Sequence, residues 1–202
     1  MNLTTRTKLN EQVEQAGRHL RAGRPHLAIR EAWHLLRRSP DHVPARLLVA
    51  DGLIRTDDFE QALRHLDIAD TYLRTGDDHW PKRYRVRHLV LRGRALQRLG
   101  RTADAIDCWR EATSANPRCV SALRHLSIVL HDEGLYDQSL RASQRLLPIR
   151  PNDEPTLKLF ADAAEADGDF NRALDTWQTI AQRRASRQGR TGGLRFSRSE
   201  CL

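Results

Sequence analysis

A repeat with a period of 34 residues is the feature that most limits how this 202-residue chain can fold. Small residues recur at intervals of 34, 43, 34 and 34 residues, at Ala28, Ala62, Ala105, Ser139 and Ala173. The longer interval is one period plus nine inserted residues. A fixed period of roughly 20–50 residues is typical of solenoid proteins, in which each repeat packs on its neighbours. The period therefore predicts an array of repeats, a fold that usually provides a binding surface.

Other residues keep the same register and indicate the structure of each repeat. Five positions before the small residue stands a glycine, or Asp57 in the second repeat: Gly23, Asp57, Gly100, Gly134 and Gly168. Twelve positions after it, three repeats carry a proline: Pro40, Pro117 and Pro151. Glycine fits a tight turn with a positive φ, and proline cannot continue a helix. We therefore predict that each repeat is a pair of helices joined by a tight turn, with the small residue where the two helices approach each other.

This pattern resembles the tetratricopeptide repeat. The third repeat reads VRHLVLRGRALQRLGRTADAIDCWREATSANPR. The family's preferred places in it are filled by Leu89, Gly93, Leu96, Gly100, Ala105, Trp109, Ala112 and Pro117. The resemblance implies an all-α solenoid of about five helix-turn-helix repeats that form a right-handed superhelix. It also implies a non-catalytic scaffold or adaptor for protein–protein interaction.

The recurring glycines and prolines predict the boundaries of the repeats and of their helices. We expect a lead-in over 1–8, a repeat domain over 9–184 and a tail over 185–202. The repeats are predicted at 9–42, 43–76, 86–119, 120–153 and 154–184, with an insertion near 77–85. First helices are predicted at 5–21, 43–55, 81–98, 119–132 and 154–166. Second helices are predicted at 25–38, 58–74, 102–115, 136–147 and 170–184. The aromatic residues beside the insertion (Tyr72, Trp80 and Tyr84) either pack locally or form a bulge that contacts a partner.

The tail is glycine-, serine- and arginine-rich, and this composition predicts disorder. The net charge of the chain is +8, and residues 183–202 hold six arginines and one glutamate, a net +5. A flexible basic arm can lie along a phosphate backbone. The alternative function is therefore a nucleic-acid-associated protein that uses this tail. Phe196 is the one aromatic residue there, whereas proteins that bind single strands use several.

The sequence argues against an enzyme, a cofactor and a metal site. It has no glycine-rich phosphate loop, no Cys-x-x-Cys and no pair of histidines three or four residues apart on a helical face, since His125 and His131 are six apart. Cys108 and Cys119 are expected to pack rather than react. The sequence contains no run of about 18 apolar residues, so no membrane span is predicted. The start lacks the apolar core of a secretory signal, and three cysteines suggest no disulfide framework, so we predict a cytoplasmic protein.

A partner-binding groove is predicted by aligning the first helices on Ala16, Ala50, Gly93, Ser127 and Ala161. The neighbouring stripe, at helical spacings of three and four, lines the concave groove in tetratricopeptide proteins. The predicted partner-binding residues are Arg21, Leu47, Ile54, Arg55, Arg87, Val90, Arg94, Arg98 and Arg124. Apolar anchors beside arginines suit a peptide with acidic flanks. The alternative is that these arginines only solvate the helices. The asparagines of the family's carboxylate clamp are absent from the matching places, so that function is not expected.

Overall fold

The structure is a computed structural model that describes residues 3–75 and 80–192. These residues form ten α-helices and no β-strand. The first helices of the repeats are α1 (Leu3–Arg21), α3 (Val43–Arg55), α5 (Lys82–Arg98), α7 (Val120–Asp132) and α9 (Glu154–Ala166). The second helices are α2 (Pro25–Arg38), α4 (Phe59–Thr75), α6 (Thr102–Ala115), α8 (Tyr136–Gln144) and α10 (Phe170–Gly192). The predicted fold class, an all-α solenoid of helix-turn-helix repeats, is confirmed. No helix in the described part of the chain is long and apolar enough to cross a membrane.

The turn inside each repeat lies where the sequence predicts it. Four glycines have positive φ angles: 70° at Gly23, 76° at Gly100, 74° at Gly134 and 86° at Gly168. In the second repeat Asp57 takes the same conformation, with a φ of 61°. A left-handed residue after a helix lets the chain reverse and begin the next helix. This shared backbone conformation explains why the five positions recur in one register.

The chain divides into two compact units, Met1–Ala122 (unit 1) and Leu123–Leu202 (unit 2). In unit 1 the core is formed where α1 to α5 pack in sequence, with Leu48 and Leu66 fully buried at its centre. In unit 2 the core lies between α8, α9 and α10, around Leu140 and Phe160, with Trp177 packed against it. In both units the core forms where helices that are neighbours in sequence pack together, and in unit 1 α3 also packs on α1 and α5.

A close helix contact in unit 1 lies between α5 and α6. The indole of Trp109 on α6 is fully buried and covers Gly93 on α5. Its Nε1 donates a hydrogen bond to the carbonyl of Val90, at 3.3 Å. A β-carbon placed on Gly93 would lie 2.4 Å from that nitrogen. Only glycine therefore fits at this position while the indole stays in place.

Two predicted helix ends are wrong. Helix α8 ends at Gln144, not at 147, and the following residues form a turn. Helix α10 continues to Gly192, so residues 185–192 are helical and not part of a disordered tail. The extension of α10 is fastened to the start of α9, because Arg184 and Arg187 both pair with Glu154, the former at 2.8 Å from Nε to Oε1. The rest of the predicted tail, 193–202, lies outside the described residues.

The insertion near 77–85 is described only in part, since residues 76–79 lie outside the description. Tyr72, which precedes the insertion, and Trp80 and Tyr84, which lie within it, are half-buried. Trp80 meets Tyr84 edge to face, with ring centroids 5.8 Å apart, and meets His42 in the same way at 5.6 Å. Both rings, and Tyr72, pack against the core of unit 1. These contacts support local packing over a bulge that contacts a partner.

Candidate functional site

An open cavity of about 360 Å³ in unit 1 is lined by α1, α3 and the start of α5. Its floor is apolar and consists of Val13, Leu20, Pro44 and Leu48. Its rim is charged and consists of Glu14, Arg21, Asp51, Arg55, Arg83 and Arg87. We call this cavity, with the residues of its rim, the arginine cleft. The helix ends explain the placement, because Arg21 and Arg55 each close a first helix and extend over the same opening.

Asp51 organises the arginines of the cleft. Its side chain is only 12% exposed, and it accepts hydrogen bonds from three arginines. Arg55 Nε lies 3.3 Å and Arg94 Nη1 lies 3.1 Å from Oδ1, while Arg87 Nη2 lies 3.4 Å from Oδ2. Arg55 also donates from Nη1 to the carbonyl of Leu20, at 3.1 Å. A poorly exposed carboxylate must be paired to be tolerated, so Asp51 draws α3 and α5 together through their arginines.

The cleft still carries an excess of positive charge. Its rim has four arginines and two carboxylates. Among the described residues, Arg21 makes no ion pair. Arg83 lies over the ring of Tyr84, 4.9 Å from its centroid, and donates from Nη2 to the tyrosine hydroxyl at 3.3 Å. Each guanidinium has five N–H groups, so the arginines keep donors that can bind a further anionic group.

The structure brings together only part of the predicted arginine set. Arg21, Arg55 and Arg87 meet in the cleft, and Arg94 joins them through Asp51. Arg98 is directed elsewhere, since it pairs with Asp57 at 3.0 Å and lies over the ring of Phe59, 4.9 Å from its centroid. Arg124 belongs to unit 2, where it pairs with Asp153 at 3.0 Å.

The predicted apolar anchors are wrong for a surface that contacts a partner. Leu47 is 0% exposed, Ile54 is 6% exposed and Val90 is 8% exposed. Leu47 and Ile54 belong to the core cluster of unit 1. The carbonyl of Val90 accepts the hydrogen bond from Trp109. The stripe next to the aligned small residues therefore lies deeper in the helix packing than the alignment predicts, and its apolar members form core.

The sequence did not identify Asp51 as the centre of this site, or Glu14 and Arg83 as part of its rim, and Tyr84, which also lines the cavity, was missed as well. One signal was present for Asp51, because an aspartate four residues before Arg55 on a helix is at pairing distance. Arg83 and Tyr84 stand too far before the aligned small residue of α5 to belong to the stripe. They reach the cleft because of the position at which α5 begins after the insertion, and the repeat alignment does not predict that position.

A second cavity, of about 280 Å³, lies between α4, α5 and α6 and includes His88 and Cys108. His88 Nε2 donates to the carbonyl of Leu66 at 3.1 Å, and burial lowers the pKa of this imidazole. Burial also raises the pKa of the Cys108 thiol, which disfavours the reactive thiolate. In the part of the chain that the structure describes, no group of three or more His, Cys, Asp or Glu residues is placed to hold a metal ion.

Comparisons with known proteins agree with this architecture. Residues 90–154 match the model of the tetratricopeptide repeat family, so the resemblance is confirmed there. A crystal structure of MamA matches with a TM-score of 0.67 and 16% identity, over 90% of this chain and 94% of that one. A MamA RS-1 ArsTM double mutant matches with a TM-score of 0.70 and 14% identity, over 90% and 97%. MamA 41-end from Desulfovibrio magneticus RS-1 matches with a TM-score of 0.69 and 14% identity, over 89% and 96%. At these identities the likeness shows the fold. No curated protein matches the chain.

Proposed function

We propose that this protein is a non-catalytic interaction scaffold, and that its arginine cleft binds an acidic segment of a protein partner. The observation that carries the proposal is the charge of the cleft, in which four arginines face two carboxylates around one open cavity. An acidic side chain entering there gains charge-assisted hydrogen bonds from groups that are already in place.

Asp51 supports the proposal because it fixes the arginines before a partner arrives. Arg55 and Arg87 each donate to this carboxylate, from two different helices. Holding a long side chain in one geometry costs conformational entropy, about 0.5–1.5 kcal/mol for each residue that a partner immobilises. Arginines that are already held by Asp51 require less ordering when they bind an acidic group, so the cleft is preorganised.

The apolar floor of the cleft is too deeply buried to bind a large apolar side chain of the partner. Leu20 and Leu48 are almost fully buried beneath the rim, so the cleft offers little apolar surface to an incoming side chain. Affinity should therefore depend on charge more than on apolar anchors, and it should weaken as the salt concentration rises. The partner is expected to present carboxylates, from aspartate or glutamate side chains.

The test is affinity capture of partners after nuclease treatment, with quantitative mass spectrometry. The triple variant Arg21→Ser, Arg55→Ser and Arg87→Ser is compared with the unchanged chain. We expect the affinity of the captured partner to fall at least about tenfold, roughly 1.4 kcal/mol. Circular dichroism checks that the helical content is retained.

A matched control changes three exposed arginines on α2 and α4 of the same unit: Arg30→Ser, Arg37→Ser and Arg64→Ser. It removes the same charge from unit 1 but leaves the cleft intact. Equal losses in both triple variants would indicate non-specific attraction to a basic protein. Full binding by the cleft variant would place the partner on another surface. If every captured protein disappears after nuclease treatment, the nucleic-acid alternative takes precedence.

A further inference from the structure

Helix α10 of unit 2 carries an exposed apolar stripe. Phe170 is 69% exposed and Leu174 is 57% exposed, more than any other large apolar side chain that the structure describes. One, two and three turns further along the same stripe, Gln178, Ala181 and Ala185 are also exposed. At helical spacing these five residues lie on one side of α10. The stripe has no charged residue, although 30% of the chain is charged.

The place of Leu174 is covered in the other repeats, whereas Tyr136, the counterpart of Phe170 on α8, is itself 39% exposed. Leu140 on α8 is the counterpart of Leu174, and it is only 7% exposed because α9 packs on it. In unit 1, Phe59 and Leu63 on α4 are the counterparts of Phe170 and Leu174, and both are packed against the core cluster that α4 shares with α5. The stripe on α10 is therefore the position at which a further helix would normally pack, and no described helix covers it.

Two copies cannot cover this stripe by stacking head to tail like successive repeats. On α5, the residues that pack against the preceding repeat include Leu91 and Ala95, which are buried. Their counterparts on α1 are Glu14 and Arg18, which are exposed and charged. Placing these charges on the apolar stripe of α10 would desolvate them without partners. The outer face of α1 is thus unsuited to cover α10.

The stripe is instead complementary to itself when two α10 helices run antiparallel. Its first half is bulky, with Phe170 and Leu174, and its second half is small, with Ala181 and Ala185. In a two-fold arrangement centred near Gln178, Phe170 of each copy lies over Ala185 of the other copy, and Leu174 lies over Ala181. Large side chains then fit over small ones, as close helix packing requires.

The charges that flank the stripe favour the same direction. The start of α10 is flanked by Asp167, Asp169 and Asp175 and by one arginine, Arg172, a net charge of −2, and the later part of the helix carries Arg183, Arg184 and Arg187. Antiparallel pairing brings the acidic start of one helix beside the basic end of the other. It also opposes the two helix dipoles, which is the favourable orientation. Parallel pairing would bring like charges together.

We propose that the exposed stripe of α10 is a homodimer interface, in which two copies of this chain pair through antiparallel α10 helices. The experiment is sedimentation equilibrium of the full chain in reducing buffer, at concentrations from about 1 to about 100 μM. We expect a monomer–dimer equilibrium in the unchanged chain. The variant Leu174→Glu should raise the dimer dissociation constant at least about tenfold, since it buries a charge opposite Ala181.

Three further variants make the test specific. Ile68→Glu changes an apolar residue of α4 that is 41% exposed, and it should leave the dimer intact. Ala181→Leu alone should weaken the dimer, because the new leucine at position 181 of one copy would lie over Leu174 of the other copy. Leu174→Ala combined with Ala181→Leu exchanges the large and small positions and should restore the dimer. A monomeric unchanged chain, or a dimer that Leu174→Glu does not weaken, overturns the proposal. Failure of the exchange variant to restore the dimer overturns the antiparallel pairing. Circular dichroism confirms that each variant is folded.

Discussion

Replacing Gly93 by alanine tests the close contact between α5 and α6 in unit 1. The new β-carbon would lie 2.4, 2.6 and 2.9 Å from Nε1, Cε2 and Cδ1 of Trp109. Real β-carbons almost never come within 3.0 Å of a heavy atom that belongs to a residue distant in the chain. The indole is fully buried, so it has no free volume into which it can turn. The substitution must therefore push α5 and α6 apart or displace the ring and its hydrogen bond to Val90.

The size of the effect follows from three contributions. Overpacking of a well-packed core costs about 1–3 kcal/mol. Loss of the indole hydrogen bond costs about 0.5–1.5 kcal/mol. Alanine recovers up to about 1 kcal/mol because it favours a helix more than glycine does. We expect the free energy of unfolding to fall by about 2 kcal/mol, and the melting temperature to fall by about 4–8 °C.

Urea unfolding and thermal melts followed by circular dichroism measure this change. Gly17→Ala on α1 is the matched control, since its β-carbon would meet only ordinary contacts, 3.8 Å from Arg21 Nη1 and 3.9 Å from Leu48 Cδ1. It should leave stability unchanged or raise it by about 0.5–1 kcal/mol. In a background of Trp109→Phe, which removes the nearest atoms, Gly93→Ala should cost less by about 1 kcal/mol. An unchanged or higher melting temperature for Gly93→Ala would refute the reasoning.

Three other perturbations have definite expected outcomes. Asp51→Asn should lower the free energy of unfolding by about 1–2 kcal/mol in urea titrations, because it weakens the hydrogen bonds that join α3 to α5; an unchanged midpoint would show that the cluster contributes nothing. Burial lowers the pKa of His65 and His88 below the usual 6.5, so protonation favours the unfolded chain. Stability should therefore decrease as the pH falls below 6.5, and His65→Gln with His88→Gln should flatten that dependence in urea titrations at pH 5 to 7. Truncation after Arg184 removes the end of α10 and the exposed ion pair of Arg187, and it should lower stability by less than about 1 kcal/mol; a larger loss in thermal melts would make this segment a structural element.

The helix pairs could be predicted from sequence because a local rule sets each boundary. A residue with positive φ is required at one place in every repeat, and glycine is the residue that adopts this conformation without strain. Even Asp57, which breaks the glycine pattern, could be placed by its register and has the predicted backbone conformation. The contact between Gly93 and Trp109 follows from the same register, since a missing side chain on one helix faces a large one on the next.

The candidate site could be predicted only in part, because long side chains choose partners by distance in space. The register predicts that Arg55 and Arg94 lie on adjoining helices, but not that both donate to one carboxylate of Asp51. Apolar residues of the stripe such as Leu47 could not be assigned to core or surface, since burial depends on how closely α3 and α5 approach. The end of α10 was missed because contacts with Glu154, distant in sequence, stabilise a segment of weak apolar periodicity.

The most direct test of the arginine cleft follows arginine Nε–H signals by nuclear magnetic resonance during titration of the full chain with hexaglutamate. Hexaglutamine is the uncharged control. The measurement is made near physiological salt, where attraction between distant exposed charges is largely screened. We expect saturable shifts at Arg55 and Arg87 with hexaglutamate and none with hexaglutamine. Shifts spread over exposed arginines such as Arg30 and Arg64, with Arg55 and Arg87 unmoved, would contradict it.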